Sequence, residues 1–362
     1  MNTVIGHQAV KERFRTSIFR DRLPSTFLMV GPEGIGKRTF AIQLARALLC
    51  EAGDRNEPLD SCGQCESCQL VDAGTHPDFQ FVNKYPDRAF LQIEQFIGDR
   101  EHRNRAGLCH HLSLSPFRGG RKIAVIDDAD FFNQESANCL LKILEEPPPG
   151  SILMMLGTSE QKQLSTIRSR SQIIRFQPLS TAEVKSVLET LDLLEITGSV
   201  DEMANQSRGS LNILSKYREE GLLEFRQQFL KKLATFEPIE GGFAKELSGF
   251  VEQAGREPAR RRDRIRQLAD DAIEFYSGIA NQLSGIPRLQ DGGLKQLVEN
   301  AAASWSVSSD YAIDCMERCM DVHLQVTANA NQTTLLESWM SDLGKLSRGE
   351  QLYSQIQARL AY

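Results

Sequence analysis

No stretch of this chain approaches the ~18 consecutive apolar residues that a membrane-crossing helix needs, so no such helix is expected. The first residues, MNTVIGHQAVKERF, lack the apolar core of a secretory signal, which points to the cytoplasm. An excess of positive charge is missing too. Lys and Arg number 42 against 48 Asp and Glu, a net charge of −6. That excludes a generally basic nucleic-acid coat but leaves room for a local basic groove. The last absence is a single hydroxyl. Gly31-Pro32-Glu33-Gly34-Ile35-Gly36-Lys37-Arg38 follows the phosphate-binding pattern of Gly, four residues, Gly, Lys, then Ser or Thr, except that Arg38 stands in the last place.

The retained part of this loop has a clear use. Gly31, Gly34 and Gly36 let backbone N–H groups curl round phosphate oxygens, and Lys37 reaches the outer phosphates. The lost hydroxyl is the group that holds Mg²⁺. Thr39 does not simply replace it, because one helical step turns a side chain by ~100°. The flanks suit the loop: Phe27–Val30 is a buried-strand run, and Thr39–Leu49 carries a helical apolar stripe. Such a chain can hold ATP with Mg²⁺ weakly supported, and is poorly equipped to hydrolyse it.

A second half of the site lies further on. Arg121–Ile126 is an apolar strand that ends in Asp127-Asp128-Ala129-Asp130. In ATPases with this loop, the first acid helps hold Mg²⁺ and the second polarises water. Asp127 and Asp128 occupy those places, Asp128 being one methylene shorter than the usual Glu. Residues 135–146 read as an amphipathic helix stopped by Pro147-Pro148-Pro149-Gly150. Ile152–Gly157 reads as a further strand, and Thr158 at its end can sense a γ-phosphate or simply start a turn. A last strand spans 172–176. Alternating strands and helices over 27–176 predict a parallel α/β sheet with its crevice at the carboxyl ends of the strands.

Eight cysteines remain to be placed in the 362 residues. Cys62, Cys65 and Cys68 form two overlapping Cys-x-x-Cys steps, with Cys50 just upstream. Four thiolates at short spacing suit a closed, structural, tetrahedral Zn²⁺ site, with a redox pair or unrelated cysteines as alternatives. His76 ranks below them as a ligand. Cys109 and Cys139 read as small apolar fillers, and Cys315 and Cys319 as one core-facing helix stripe. The length predicts two or three domains, and 41% hydrophobic with 25% charged residues is ordinary for a globular protein. Arg256, Arg260, Arg261, Arg262, Arg264 and Arg266 form a basic run, either a solvated helix face or a contact to a partner or DNA.

Taken together, several stretches resemble the delta-prime family of bacterial DNA polymerase III clamp-loader subunits, within the AAA+ class. They are Ile5–Gln8, Arg22–Ser25, Gly31–Lys37, the four cysteines, Gly74–Asp78, Ile126–Asp130, Ala137–Pro148 and Ile167–Ser171. The likeness is dense over residues 1–215 and sparse beyond, where Thr327–Glu337 resembles the family's collar helices. It implies an AAA+ P-loop domain over 1–177 with a zinc module at 50–68, a small helical lid domain over 178–220, and an all-α collar domain over 221–362. It makes Arg170, in Ser169-Arg170-Ser171, an arginine finger that reaches ATP on a neighbouring tau or gamma subunit; otherwise Arg170 is a surface ion-pair residue. Ser171 stands where the family has Cys. Asn212 stands where hydrolysing relatives have Arg, and Arg208 is displaced from that place. The resemblance thus implies a stator that assembles with delta and tau/gamma subunits, meets the sliding clamp, and reaches primer–template DNA through the complex. The chain would belong to a nucleotidyltransferase holoenzyme without being its catalyst. An ATP-hydrolysing motor subunit like tau/gamma is the alternative.

Overall fold

The computed structural model describes residues 4–52, 57, 59–85, 88–118, 120–190, 204, 207, 209–212, 221–236, 241–286 and 292–352. The chain divides into two units, Met1–Leu214 and Ser215–Tyr362.

Among the described residues, the first unit is built on five parallel strands. These are β1 (Thr26–Val30), β2 (Phe79–Val82), β3 (Lys122–Ile126), β4 (Ser151–Gly157) and β5 (Gln172–Arg175), in the order β2-β3-β4-β1-β5. β1 therefore lies between β4 and β5, pairing Thr26 with Leu153 and Phe27 with Gln172. Its sequence, TFLMV, is apolar after Thr26 and buried throughout because both faces of the strand are covered. Successive side chains point to opposite faces. Phe27 and Met29 join Ile123, Val125, Ile152 and Met154 on one face, under α1 (Gln8–Phe19) and α2 (Lys37–Leu49), which supply Phe14, Phe40 and Leu44. Leu28 and Val30 join Ala124, Ile126, Leu153 and Met155 on the other. There they meet Leu108 and Leu112 of α5 (Gly107–Ser113) and Leu140 and Leu144 of α6 (Gln134–Glu145). Each such side chain removed from water contributes about 1.5–3 kcal/mol, so the two-sided core holds the strand ends in place.

Three short helices complete the connections: α3 (Glu66–Asp72), α4 (Glu94–Ile97) and α7 (Ser165–Arg168). The start of α6 is locked by a reciprocal cap. The Asn133 side chain accepts from the Ser136 N–H at 2.8 Å, and the Ser136 hydroxyl accepts from the Asn133 N–H at 3.1 Å. The expected lid lies largely outside the described residues, Arg208 included. Its described part is α8 (Thr181–Thr190) with a few residues near 210, where Leu179, Val184 and Leu188 pack with Ile5 and Leu211.

The second unit is helical among the described residues: α9 (Leu222–Leu233), α10 (Gly241–Glu252), α11 (Pro258–Leu283), α12 (Gly292–Ser304), α13 (Ser309–Thr327) and α14 (Gln332–Leu346). Trp339, Phe229, Phe275, Tyr276 and Trp305 are buried. Cys315 and Cys319 are fully buried, as a core-facing stripe requires, and the Trp339 indole N–H points to the Cys319 sulfur at 3.4 Å. Arg226 and Asp271 form a buried pair at 3.0 Å. The arginine run does not form a uniform basic face. Arg264 is buried, stacks on the Phe250 ring at 4.7 Å and donates to the Phe250 carbonyl at 2.9 Å. Arg260 pairs with Glu257, just before α11, and Arg266 with Asp263 within it. No helix among the described residues is long and apolar enough to cross a membrane.

Candidate functional site: a nucleotide crevice, a cysteine cluster and an outward arginine

The carboxyl ends of β1, β3 and β4 meet at a crevice of about 450 Å³. Gly34, Gly36, Lys37, Arg38, Thr39, Asp127, Asp128, Thr158 and Asn212 all line it. The two halves of the site that the sequence separates by ninety residues are therefore one site, as expected at the strand ends of such a sheet. Gly36 precedes α2 with φ 96°, and no side chain caps that helix. Its first N–H groups are left facing the crevice, which is what an anion-binding helix start requires. Gly34, at φ 71°, cannot be another residue. A Cβ there would come within 2.5 Å of the Asn212 nitrogen and the Ser210 hydroxyl.

The charged groups are arranged unusually. Lys37 Nζ donates to the Gly31 and Pro32 carbonyls, both at 2.6 Å. Burial pulls its ammonium below the ordinary lysine range, against Asp127, Glu33 and Asp130. Arg38 lies 3.8 Å from Asp127 Oδ2, with its guanidinium 4.4 Å from the centre of the Phe81 ring. Burial pushes the Asp127 carboxyl up, against the Asp128 amide and the charges of Arg38 and Lys37. Asp128 sits in the left-handed region at φ 58°, and its carboxylate accepts from the Lys84 N–H at 3.2 Å. Thr158 is committed as well: its hydroxyl donates to Asp130, and its N–H reaches both oxygens of that residue at 3.0 Å.

The cysteine cluster is compact. Cys50 ends α2, Cys65 caps α3, and Cys68 is buried within α3. The four sulfurs lie within 4.8 Å of one another, with Cys50 at 3.6 Å from Cys62 and 3.9 Å from Cys65. Sulfurs arranged tetrahedrally about zinc at about 2.3 Å are about 3.8 Å apart, so the donor set fits the ion. Amides of Cys62, Cys65 and Cys68 point at the sulfurs of Cys50, Cys62 and Cys65 at 3.4, 3.3 and 3.4 Å. The Gln64 and Cys65 amides push the Cys62 thiol down to about 6, into the thiolate form a metal needs. The cluster can hold zinc. His76 is turned to other partners: Nδ1 accepts from the Asp78 N–H at 3.0 Å, and Nε2 lies 3.2 Å from the Ser67 hydroxyl.

Arg170 is not among the residues that line the crevice. It stands in the turn between α7 and β5, where its Nη2 pairs with Glu145 at 2.8 Å and its Nη1 lies 3.2 Å from the Ser169 hydroxyl. The Ser171 hydroxyl donates to the Ile167 carbonyl at 2.8 Å, bracing the turn from behind.

Comparison with known proteins follows the same outline. Residues 6–180 match the family model described as DNA polymerase III, delta subunit. The DNA polymerase III subunit delta′ of Bacillus subtilis is 32% identical over 200 residues, covering 53% of this chain and 56% of the relative. The delta′ subunit of Pseudomonas aeruginosa is 35% identical over 144 residues, or 40% of each chain. The tau subunit of Escherichia coli is 28% identical over 186 residues, covering 51% of this chain and 27% of the relative. The chain thus spans about half the length of the delta′ relatives it matches.

Several working side chains escaped the sequence. His7 Nε2 donates to the Ile35 carbonyl at 2.6 Å and braces the glycine loop from outside. Asp130 gathers Thr158 and the Gln163 amide, and Gly157 makes space for both, since a Cβ there would meet Gln163 at 2.6 Å and Asp130 at 2.7 Å. Ser210 donates to the Glu33 carbonyl at 2.6 Å and the Leu211 N–H to the Gly34 carbonyl at 2.9 Å, fastening a distant segment to the loop. Only the sequence Ile5–Gln8 hinted at the first of these contacts; the others join residues too far apart for any local pattern.

Proposed function

We propose that this chain is the delta-prime subunit of a bacterial DNA polymerase III clamp loader. It is a stator that assembles with delta and tau/gamma subunits to place the sliding clamp on primed DNA. It contributes Arg170 in trans to a neighbour's ATP and has little ATPase of its own. One observation carries this reading. The chain's own crevice places Arg38 against Asp127 where a metal-holding hydroxyl belongs, while Arg170 stands outside that crevice with its side chain at the surface. Guanidinium suits the role because it stays charged and presents a rigid fork to phosphate. The four cysteines hold a structural Zn²⁺, which orders the polar loop between α2 and α3 and performs no chemistry. The likeness to tau favours the competing motor-subunit reading, but Arg38, Asp128 and Asn212 all depart from what hydrolysis needs.

The test is Arg170→Ala in the reconstituted clamp loader. ATPase at the site it serves should fall about a thousandfold, the scale of an arginine finger, and clamp loading should fall with it. Assembly should persist, because the exposed pair with Glu145 contributes at most about 1 kcal/mol. Unchanged ATPase of the assembled complex rejects the finger.

A further inference from the structure

P-loop crevices of this kind imply Mg²⁺ beside the phosphates, and the residues here do not fit it. Mg²⁺ demands six oxygen ligands in near-ideal octahedral geometry. In place of the hydroxyl, Arg38 offers only N–H donors, and its guanidinium already stands 3.8 Å from Asp127, the acid that would share the metal. The guanidinium also lies 4.4 Å from the centre of the Phe81 ring. The second Asp127 oxygen accepts from the Asp128 N–H at 3.0 Å. A fixed organic cation therefore occupies the metal's position at the mouth of the glycine loop.

We propose that this crevice binds a nucleoside diphosphate without Mg²⁺, with Arg38 in the metal's place. The uncapped N–H groups at the start of α2 meet one phosphate. Lys37 exchanges its Gly31 and Pro32 carbonyls for phosphate oxygens, and Arg38 grips the outer phosphate as a charged fork. The guanidinium brings one positive charge where the metal brings two. Asp128 and Asp130 also line the crevice, so a third phosphate adds negative charge near two further carboxylates. The balance selects two phosphates over three.

Calorimetric titration of the isolated full-length chain with ADP, in EDTA and in excess Mg²⁺, tests this. ADP binding is measured without any partner, so its failure leaves the clamp-loader assignment standing. The expected result is binding in EDTA that weakens in excess Mg²⁺, which sequesters the metal-free ADP, with ATP weaker than ADP in EDTA. Arg38→Thr should lose about tenfold or more in EDTA, the scale of one charge-assisted hydrogen bond, and recover affinity when Mg²⁺ is added. Arg38 is 58% exposed, so its replacement leaves the core intact. Asp127→Asn keeps the shape, removes the competing acid and should tighten ADP in EDTA. Absence of ADP binding, binding that needs Mg²⁺, ATP tighter than ADP in EDTA, or an Arg38→Thr variant unchanged in EDTA overturns the proposal.

Discussion

Lys37 and Arg38 are adjacent in the chain and opposite in character. Lys37 keeps the place its pattern assigns it, although it rests on its own loop, while Arg38 turns the metal position into an ion pair with Asp127. Another single residue governs the response to acid. His111 is held down to about 4, first by burial and then by the Lys122 charge, and its Nε2 atom is buried with no hydrogen-bond partner among the described residues. A base with a depressed folded pKa takes up its proton more readily once unfolded. Its contribution is therefore complete above the ordinary value of 6.5 and is lost as pH falls towards about 4. We expect His111→Gln to flatten the fall in melting temperature across that range. A pH profile identical to the parent chain contradicts this.

At the scale of elements, we propose that the loop between α2 and α3 depends on a bound metal, because it is mostly polar. The purified chain should carry about one Zn²⁺, the stoichiometry of a Cys₄ site. Cys65→Ser should lose the bound metal and open residues 50–68 to protease while the sheet's circular dichroism persists; a metal-free chain equally resistant in that loop counts against zinc. The central elements were legible beforehand for a simple reason. Strands buried on both faces must be largely apolar, and β1, β3 and β4 are, with only Thr26, Lys122 and Ser151 as polar first residues. β2 was missed because it has four residues and only its ends are buried. The phosphate loop and the cysteine cluster are local spacings, so they could be read directly. Asp130 with Thr158, Glu145 with Arg170, and Ser210 with Glu33 could not, because each contact joins separate elements that only the folded chain brings together.

At the scale of the whole molecule, chemistry is concentrated in the first unit, and the second is a helical body anchored by Trp339, Tyr276 and the Arg226–Asp271 pair. With Arg38, Asp128 and Asn212 in the crevice and Arg170 outside it, the isolated chain should turn over ATP at background rate in a coupled phosphate-release assay. Robust turnover abolished by Lys37→Ala would make the chain a motor subunit instead. The order of the sheet has one more consequence, for synthesis. β1 is made first among the strands, yet its neighbours are the last two, so Thr26 waits for Leu153 and Phe27 for Gln172. As the chain leaves the ribosome, TFLMV has no strand to pair with until more than a hundred further residues have been added. A strand interior to the finished sheet is thus the one exposed longest while the protein is being made.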